Sequence, residues 1–379
     1  MLMSREGRQR ACALYGCVCW WARLLLVAVA IGSYAHASDV EVVARLTEAP
    51  GNLTVTPDGR IIMSLHEFYS PMRRVVELKP DGALAAFPDE AWNAPREREP
   101  YLDSVLGIQS DSNGVVWMLD NGRRGKVTPK LVGWDSRLNE LVQLIELPAP
   151  ATVADSFVND LAVDEQHNAV YIADPAGGDN AALIVVDLNT GQARRVLRGH
   201  TSVVPENVYL VIDSRSVKLK REDGSFLRPR IGVNPIALDA KAQWLYFGPM
   251  HGKTMYRIRT QDLLDHELDD AALGQKVERY SDKPICDGIS IDRAGNIYIS
   301  DIANHAVGVI STLRRYEIIA QDRERLSWPD AFSFGPDGRL YTVANQLHRT
   351  AVLNAGVMAA KPPYYVLQLE PMAPGIAGR

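Results

Sequence analysis

Asp287-Gly-Ile-Ser-Ile-Asp-Arg-Ala-Gly-Asn-Ile-Tyr-Ile-Ser-Asp301 reads as two short strands joined by a turn. Apolar residues alternate at period two on either side, and Ala294-Gly-Asn296 supplies residues that tolerate positive φ. The same phrase recurs at residues 51–65, 107–120 and 330–345. Shorter copies are Asn159-Asp-Leu-Ala-Val-Asp164 with Val170-Tyr-Ile-Ala-Asp174, and Asn234-Pro-Ile-Ala-Leu-Asp239 with Trp244-Leu-Tyr-Phe247. Six copies of a unit that cannot bury its own faces imply a repeat architecture, and four strands per unit imply a propeller. The expected fold is all-β, a six-bladed β-propeller.

Spacing supports even blades. Asp111 and Asp164 lie 53 residues apart, as do Asp239 and Asp292. Third strands are read at 74–78, 183–187, 254–258 and 306–310, and fourth strands at 141–145 and 193–197. The step from Asp164 to Asp239 is longer, 75 residues, and its excess fits an added hairpin at about 207–224. That hairpin pairs Val208-Tyr-Leu-Val-Ile212 with Ser216-Val-Lys-Leu219 and turns at Glu222-Asp-Gly224. It either caps a site or is a surface excursion. Val40-Glu-Val-Val43 and Tyr364-Tyr-Val-Leu-Gln-Leu369 are expected to close the ring by completing the last blade together.

Composition narrows the function classes. Of 379 residues, 46% are hydrophobic and 23% charged, with a net charge of −5, which excludes a basic nucleic-acid-binding surface as the main theme. Residues 1–37 read as a signal peptide: Arg5, Arg8 and Arg10 precede an apolar run through Ile31, and Ala35-His-Ala37 fits a cleavage site. The propeller is then expected at 38–379, exported to the periplasm or beyond, with no membrane partner after cleavage. Cys12, Cys17 and Cys19 fall in the leader, so Cys286 stands alone and is expected in the core, without a disulfide. Pro95-Arg-Glu-Arg-Glu-Pro100 reads as a solvated loop between blades.

The first strand of a propeller blade lines the channel, so the residue two places before its first apolar position sits at the mouth. Those positions hold Gly51, Leu106, Asn159, Asn234, Asp287 and Asp330. Four consecutive blades therefore aim a carboxamide or carboxylate at one axis. Oxygen ligands without His or Cys suit Ca²⁺ or another hard divalent cation, with Asn159, Asn234 and Asp287 as ligands. Asp287 is also the candidate catalytic base, and Asp330, His251 and His305 are candidates for substrate binding. The competing reading is that Asn and Asp here stitch backbone at strand starts. Asp120, Asp174 and Asp301, at second-strand ends, read as loop ties. Gly-x-Ser-x-Gly and phosphate-cradling loops are absent from the sequence.

Val116-Trp-Met-Leu-Asp-Asn-Gly122, Ala169-Val-Tyr-Ile-Ala-Asp174, Ala182-Leu-Ile-Val-Val-Asp-Leu188, Gly232-Val-Asn-Pro-Ile-Ala-Leu238 and Trp328-Pro-Asp330, taken in order, resemble the yellow / major royal jelly protein family in its bacterial branch. The resemblance implies a secreted six-bladed propeller, in a family linked to dopachrome conversion and to the binding of small amines. The chain is also similar to gluconolactonase and regucalcin-like hydrolases, whose metal site implies roles for Asn159, Asn234 and Asp287. The Glu of that pattern is replaced in blade one by Gly51 and Asn52, leaving Asp330 or Glu67 to fill the place. Two functions stay open: a metal-assisted hydrolase or isomerase of a lactone or cyclic quinone-like substrate, or a non-catalytic binder of a small ligand.

Overall fold

The computed structural model describes residues 39–95, 100–123, 127–221 and 223–379. The leader at 1–37 with its three cysteines, most of the 95–100 loop, and Glu222 lie outside the described residues.

β1 (Glu41–Leu46) is followed by blade one: β2 (Pro50–Val55), β3 (Ile61–Leu65), β4 (Val75–Leu78) and β5 (Leu84–Ala86). Blade two is β6 (Val105–Ser110), β7 (Val115–Asp120), β8 (Lys130–Asp135) and β9 (Glu140–Glu146). Blade three is β10 (Asp160–Asp164), β11 (Ala169–Asp174), β12 (Ala182–Asp187) and β13 (Ala193–Val196). An insert follows, with β14 (Val211–Ile212), β15 (Arg215–Ser216), β16 (Leu219–Lys220) and β17 (Phe226–Leu227). Blade four is β18 (Val233–Leu238), β19 (Trp244–Pro249), β20 (Thr254–Arg259) and, after helices α1 (Thr260–Leu264) and α2 (Asp270–Lys276), β21 (Glu278–Asp282). Blade five is β22 (Cys286–Ile291), β23 (Ile297–Asp301), β24 (Ala306–Ile310) and β25 (Tyr316–Gln321). β26 (Pro329–Phe334), β27 (Leu340–Ala344) and β28 (Tyr364–Leu369) complete the series.

Each blade is a four-stranded antiparallel sheet with its first strand innermost. The sixth takes its outer strand from the other end of the chain, in the order β1-β28-β27-β26, as expected. Consecutive inner strands touch, and β2 meets β26, so the ring closes. Apolar faces of neighbouring blades pack on each other: Trp117, Leu131 and Ile145 of blade two meet Leu161, Ile172 and Val186 of blade three. Cys286 is fully buried among Met255, Tyr280 and Ile299, a core position as expected.

Two features differ from the sequence reading. The insert is two short ribbons rather than one hairpin, because Asp213 and Ser214 adopt φ of 51° and 63° and turn the chain back immediately after Ile212. The helices of blade four were not foreseen; Asp269 caps the second by accepting from the Ala272 amide, and Leu263 and Leu273 bury against the blade three–four core.

Candidate functional site

The inner strands carry a local device that aims side chains into the channel. In five blades the pairing of the innermost strand slips near its start, between Pro50 and Leu53, Val105 and Ile108, Val233 and Ile236, Cys286 and Ile289, and Pro329 and Phe332. Those slips hold Gly51-Asn52, Leu106-Gly107, Asn234-Pro235, Asp287-Gly288 and Asp330-Ala331. A bulge leaves its extra residue outside the ladder and re-aims it. Gly288 lets the neighbouring inner strand approach: a Cβ there would lie 2.3 Å from the Asp330 carbonyl oxygen.

Residues so aimed, with Asn159 and Asp160 at the unbulged start of blade three, meet at a cavity of about 320 Å³ at the channel mouth. Asn52, Asn159, Asp160, Asn234, Asp287 and Asp330 line it from the inner strands. Phe68, Phe157, Leu210, Met250, Trp328 and Leu347 contribute apolar wall. The insert participates, through Leu210, Val217, Pro229 and Ile231, so it shapes the site and is not only a surface excursion.

The three expected ligands form one hydrogen-bonded row. The Asn159 amide donates to Asn234 Oδ1 at 2.6 Å, and the Asn234 amide donates to Asp287 Oδ1 at 2.5 Å. The Trp328 indole N–H donates to Asp287 Oδ2 at 2.7 Å. Asn345 donates to Asp330 at 2.6 Å, and Asn52 to Asp160 at 3.2 Å.

This floor lacks counter-charge. Among the described lining residues the one permanent cation is Arg123, whose guanidinium lies over the Phe157 ring at 5.1 Å. Burial therefore pushes the carboxyls up: Asp160 to about 7, Asp287 to about 6, and Asp330 well above its ordinary range. Repulsion from Asp287 adds to the rise at both Asp160 and Asp330. Asp160 and Asp330 retain some accessible area, which they present to this cavity.

His251 also lines the cavity and is buried. Its Nδ1 accepts from the Ile231 amide at 3.1 Å, which leaves the proton on Nε2, and that nitrogen has no protein partner. Burial, with Lys283 and Arg230 adding to it, lowers its pKa to about 4, so the ring is a neutral donor at physiological pH. His305 stands outside the cavity, contrary to its expected substrate contact. Its Nε2 meets Asp213 at 3.2 Å, and its ring packs against His348, which stacks on the back of Trp328. Glu67 accepts from the Ser104 hydroxyl and does not line the cavity, so Asp330 alone of the two stands where the blade-one Glu was expected to be replaced.

Asp120, Asp174 and Asp301 are fully buried and saturated. Asp120 accepts from the Asp103, Ser104 and Gly122 amides and pairs with Lys130 at 2.8 Å. Asp174 accepts from the Phe157 and Ala176 amides and pairs with Arg195 at 2.7 Å. Asp301 accepts from Asn304 and from the Tyr316 hydroxyl at 2.6 Å. They tie loops.

Asp160 and Trp328 escaped the sequence reading, and Asn52 entered it only as an occupant of the missing Glu's place. Strict period two assigns the neighbours Asn159 and Asp160 to opposite faces; at a strand start on the channel axis both line the cavity. Trp328 was quoted only as a motif residue, and its indole is an anchor for Asp287.

The donor set is right in kind for a hard cation, since only carboxamide and carboxylate oxygens converge. Its present arrangement is not a cation cage. Both Asp287 oxygens are spent on Asn234 and Trp328, the Asn234 oxygen is spent on Asn159, and among the described residues no three His, Cys, Asp or Glu side chains gather at ligating distance. No described helix is long and apolar enough to cross a membrane.

Residues 103–370 match the major royal jelly protein family. Major royal jelly protein 3 of Apis mellifera is 22% identical over 263 residues, covering 64% of this chain and 45% of that protein. The chain spans about half the length of the curated relatives it matches. Among solved structures, a gluconolactonase from Xanthomonas campestris superposes with a TM-score of 0.54 at 13% identity, over 89% of this chain and 92% of that one. A calcium-binding regucalcin from Agrobacterium tumefaciens does so at 0.53 and 15%, over 90% and 99%. At these identities the likeness is one of fold. With its six closed blades and its match across most of the propeller, the chain belongs to the major royal jelly protein family.

Proposed function

We propose that the channel mouth binds a small organic molecule carrying one positive charge on an apolar or aromatic body, in an exported protein. The observation that carries this reading is the trio Asp160, Asp287 and Asp330 in one cavity with apolar walls and no ammonium or guanidinium set against them among the described residues. A ligand ammonium supplies the missing charge and donates to the carboxylates. The aromatic rings of Phe68, Phe157 and Trp328 fit its body, and His251 Nε2–H is a ready donor to an oxygen at its far end. A volume of about 320 Å³ suits a molecule of one or two rings. The reading agrees with the small-amine binding that the family resemblance implies.

Calorimetry at pH 7.5 with tyramine and with an uncharged phenol of the same size tests it. The amine is expected to bind at least about tenfold more tightly, one charge-assisted contact being worth ~1.5–3 kcal/mol. Equal affinity for both compounds would overturn the reading.

A second reading is metal-assisted lactone hydrolysis or dopachrome-type isomerisation, supported by the alignment of Asn159, Asn234 and Asp287 in one row. A cation held by these residues would polarise a substrate carbonyl, and Asp287 would carry the proton. Melting with and without Ca²⁺, together with a lactone and dopachrome turnover screen, decides it. No Ca²⁺-dependent shift and no turnover remove this reading.

A further inference from the structure

The insert presents a face that the cavity does not use. Tyr209, Val211, Phe226 and Leu227 on its ribbons, with Val357 and Met358 on an adjoining loop, are each 40–59% exposed. The two segments form one platform: Lys218 pairs with Asn354 as an isolated parallel bridge, the Lys218 amide donates to the Leu353 carbonyl at 3.1 Å, and the Ala355 amide donates to the Lys218 carbonyl at 2.9 Å. Single exposed apolar side chains are unremarkable on a protein surface, but six on one platform form a patch.

Charge is segregated to the same place. Residues 207–231 contain six basic and three acidic side chains, in a chain whose net charge is −5. Arg215, Lys218, Lys220, Arg221, Arg228 and Arg230 are all exposed. Asp213, the acid at the first ribbon's tip, is engaged by His305 and by Arg323 at 2.6 Å rather than by these cations. Lys218 lies 6.0 Å from the Phe226 ring and Arg228 lies 5.3 Å from Tyr209, so cation and apolar tip stand side by side.

We infer that this platform docks the protein on an anionic lipid bilayer. Apolar tips flanked by cations match such a surface: rings and aliphatic chains reach the acyl boundary, while ammonium and guanidinium groups sit at the phosphates. The tips are spread over two ribbons and a loop rather than gathered in a groove, which suits a deformable surface better than the contoured face of an acidic protein. The inference departs from the expectation of no membrane partner, and it is independent of what the cavity binds.

The test uses the chain from residue 38 and sedimentation with vesicles of neutral phosphatidylcholine, alone or with one quarter phosphatidylglycerol. Binding is expected only to the anionic vesicles, weakening as salt rises from 50 to 500 mM. K218Q/K220Q should weaken partitioning on the order of 30-fold, since each cation near such a surface contributes about fivefold. F226S/L227S should weaken it as well, with a salt dependence like the parent's. All four positions are exposed, and an unchanged melting temperature shows that each variant folds. Equal binding to neutral vesicles overturns the inference, as does unchanged binding of both variants. Retention on polyglutamate without vesicle binding would instead assign the face to an acidic protein. A concentration-dependent dimer abolished by F226S/L227S, without vesicle binding, would assign it to a second copy.

Discussion

Two sets of aspartates stand on the same face of this propeller and meet opposite fates. Asp120, Asp174 and Asp301 end second strands and are enclosed by amides, hydroxyls and buried cations. Asp160, Asp287 and Asp330 start or interrupt first strands and share a cavity with one another. Residue type is the same; counter-charge and the company of other carboxylates differ. A buried carboxylate with several N–H donors and a cation is structural cement, whereas one facing its own kind holds its proton to higher pH and, once ionised, lacks a counter-charge. The outer set holds the scaffold and the inner set is left available for a ligand.

The largest effect expected from this contrast comes from Asp174→Ala. It strands Arg195 and the Phe157 and Ala176 amides in the interior, and should cost about 3–5 kcal/mol in urea unfolding. A loss under 1 kcal/mol would erase the distinction between the two sets.

Next is the pH dependence of the ligand-free protein. Asp160 and Asp287 have folded pKa values of about 7 and about 6, above the unfolded value near 3.8. Their contribution to stability is complete below pH ~4 and disappears as pH rises through 6 and 7. Between pH 5 and pH 8 this amounts to about 4 kcal/mol, to be read from denaturant titrations at each pH. Amine affinity should run the other way and strengthen over the same interval, because ionised carboxylates are the ones that attract the ligand. Stability that rises across that window would contradict the assignment.

Asp287→Asn sharpens the comparison from the inner side. The fold should hold within about 1 kcal/mol, because a charge that is costly to bury disappears while an oxygen remains for Trp328. Binding of the amine should weaken by about 2 kcal/mol in calorimetry. If stability collapses instead, Asp287 belongs with the structural set. The smallest effect on binding is expected at His251→Phe, which keeps the wall and removes the free donor together with the acceptor of the Ile231 amide. An oxygen-bearing ligand should lose about 1 kcal/mol of affinity, and an analogue without that oxygen should lose nothing.

Blade count, blade order, ring closure by residues 40–43 with 364–369, and the core position of Cys286 were all legible in the chain, because alternation and turn chemistry are local and repeat six times. The positions Asn159, Asn234, Asp287 and Asp330 were legible too, by register alone. What only the tertiary structure decided depends on contacts between residues far apart in sequence. A bulge turned Asn52 onto the axis, Trp328 came from a neighbouring blade to hold Asp287, and the insert folded back as two ribbons to wall the cavity. His305 stands outside the cavity against Asp213 of the insert. Sequence periodicity says which face a residue shares with its neighbours along the strand. Only the closed ring says which carboxylates stand apart with their own donors or cation and which face each other across the cavity, and that distinction separates the scaffold from the site.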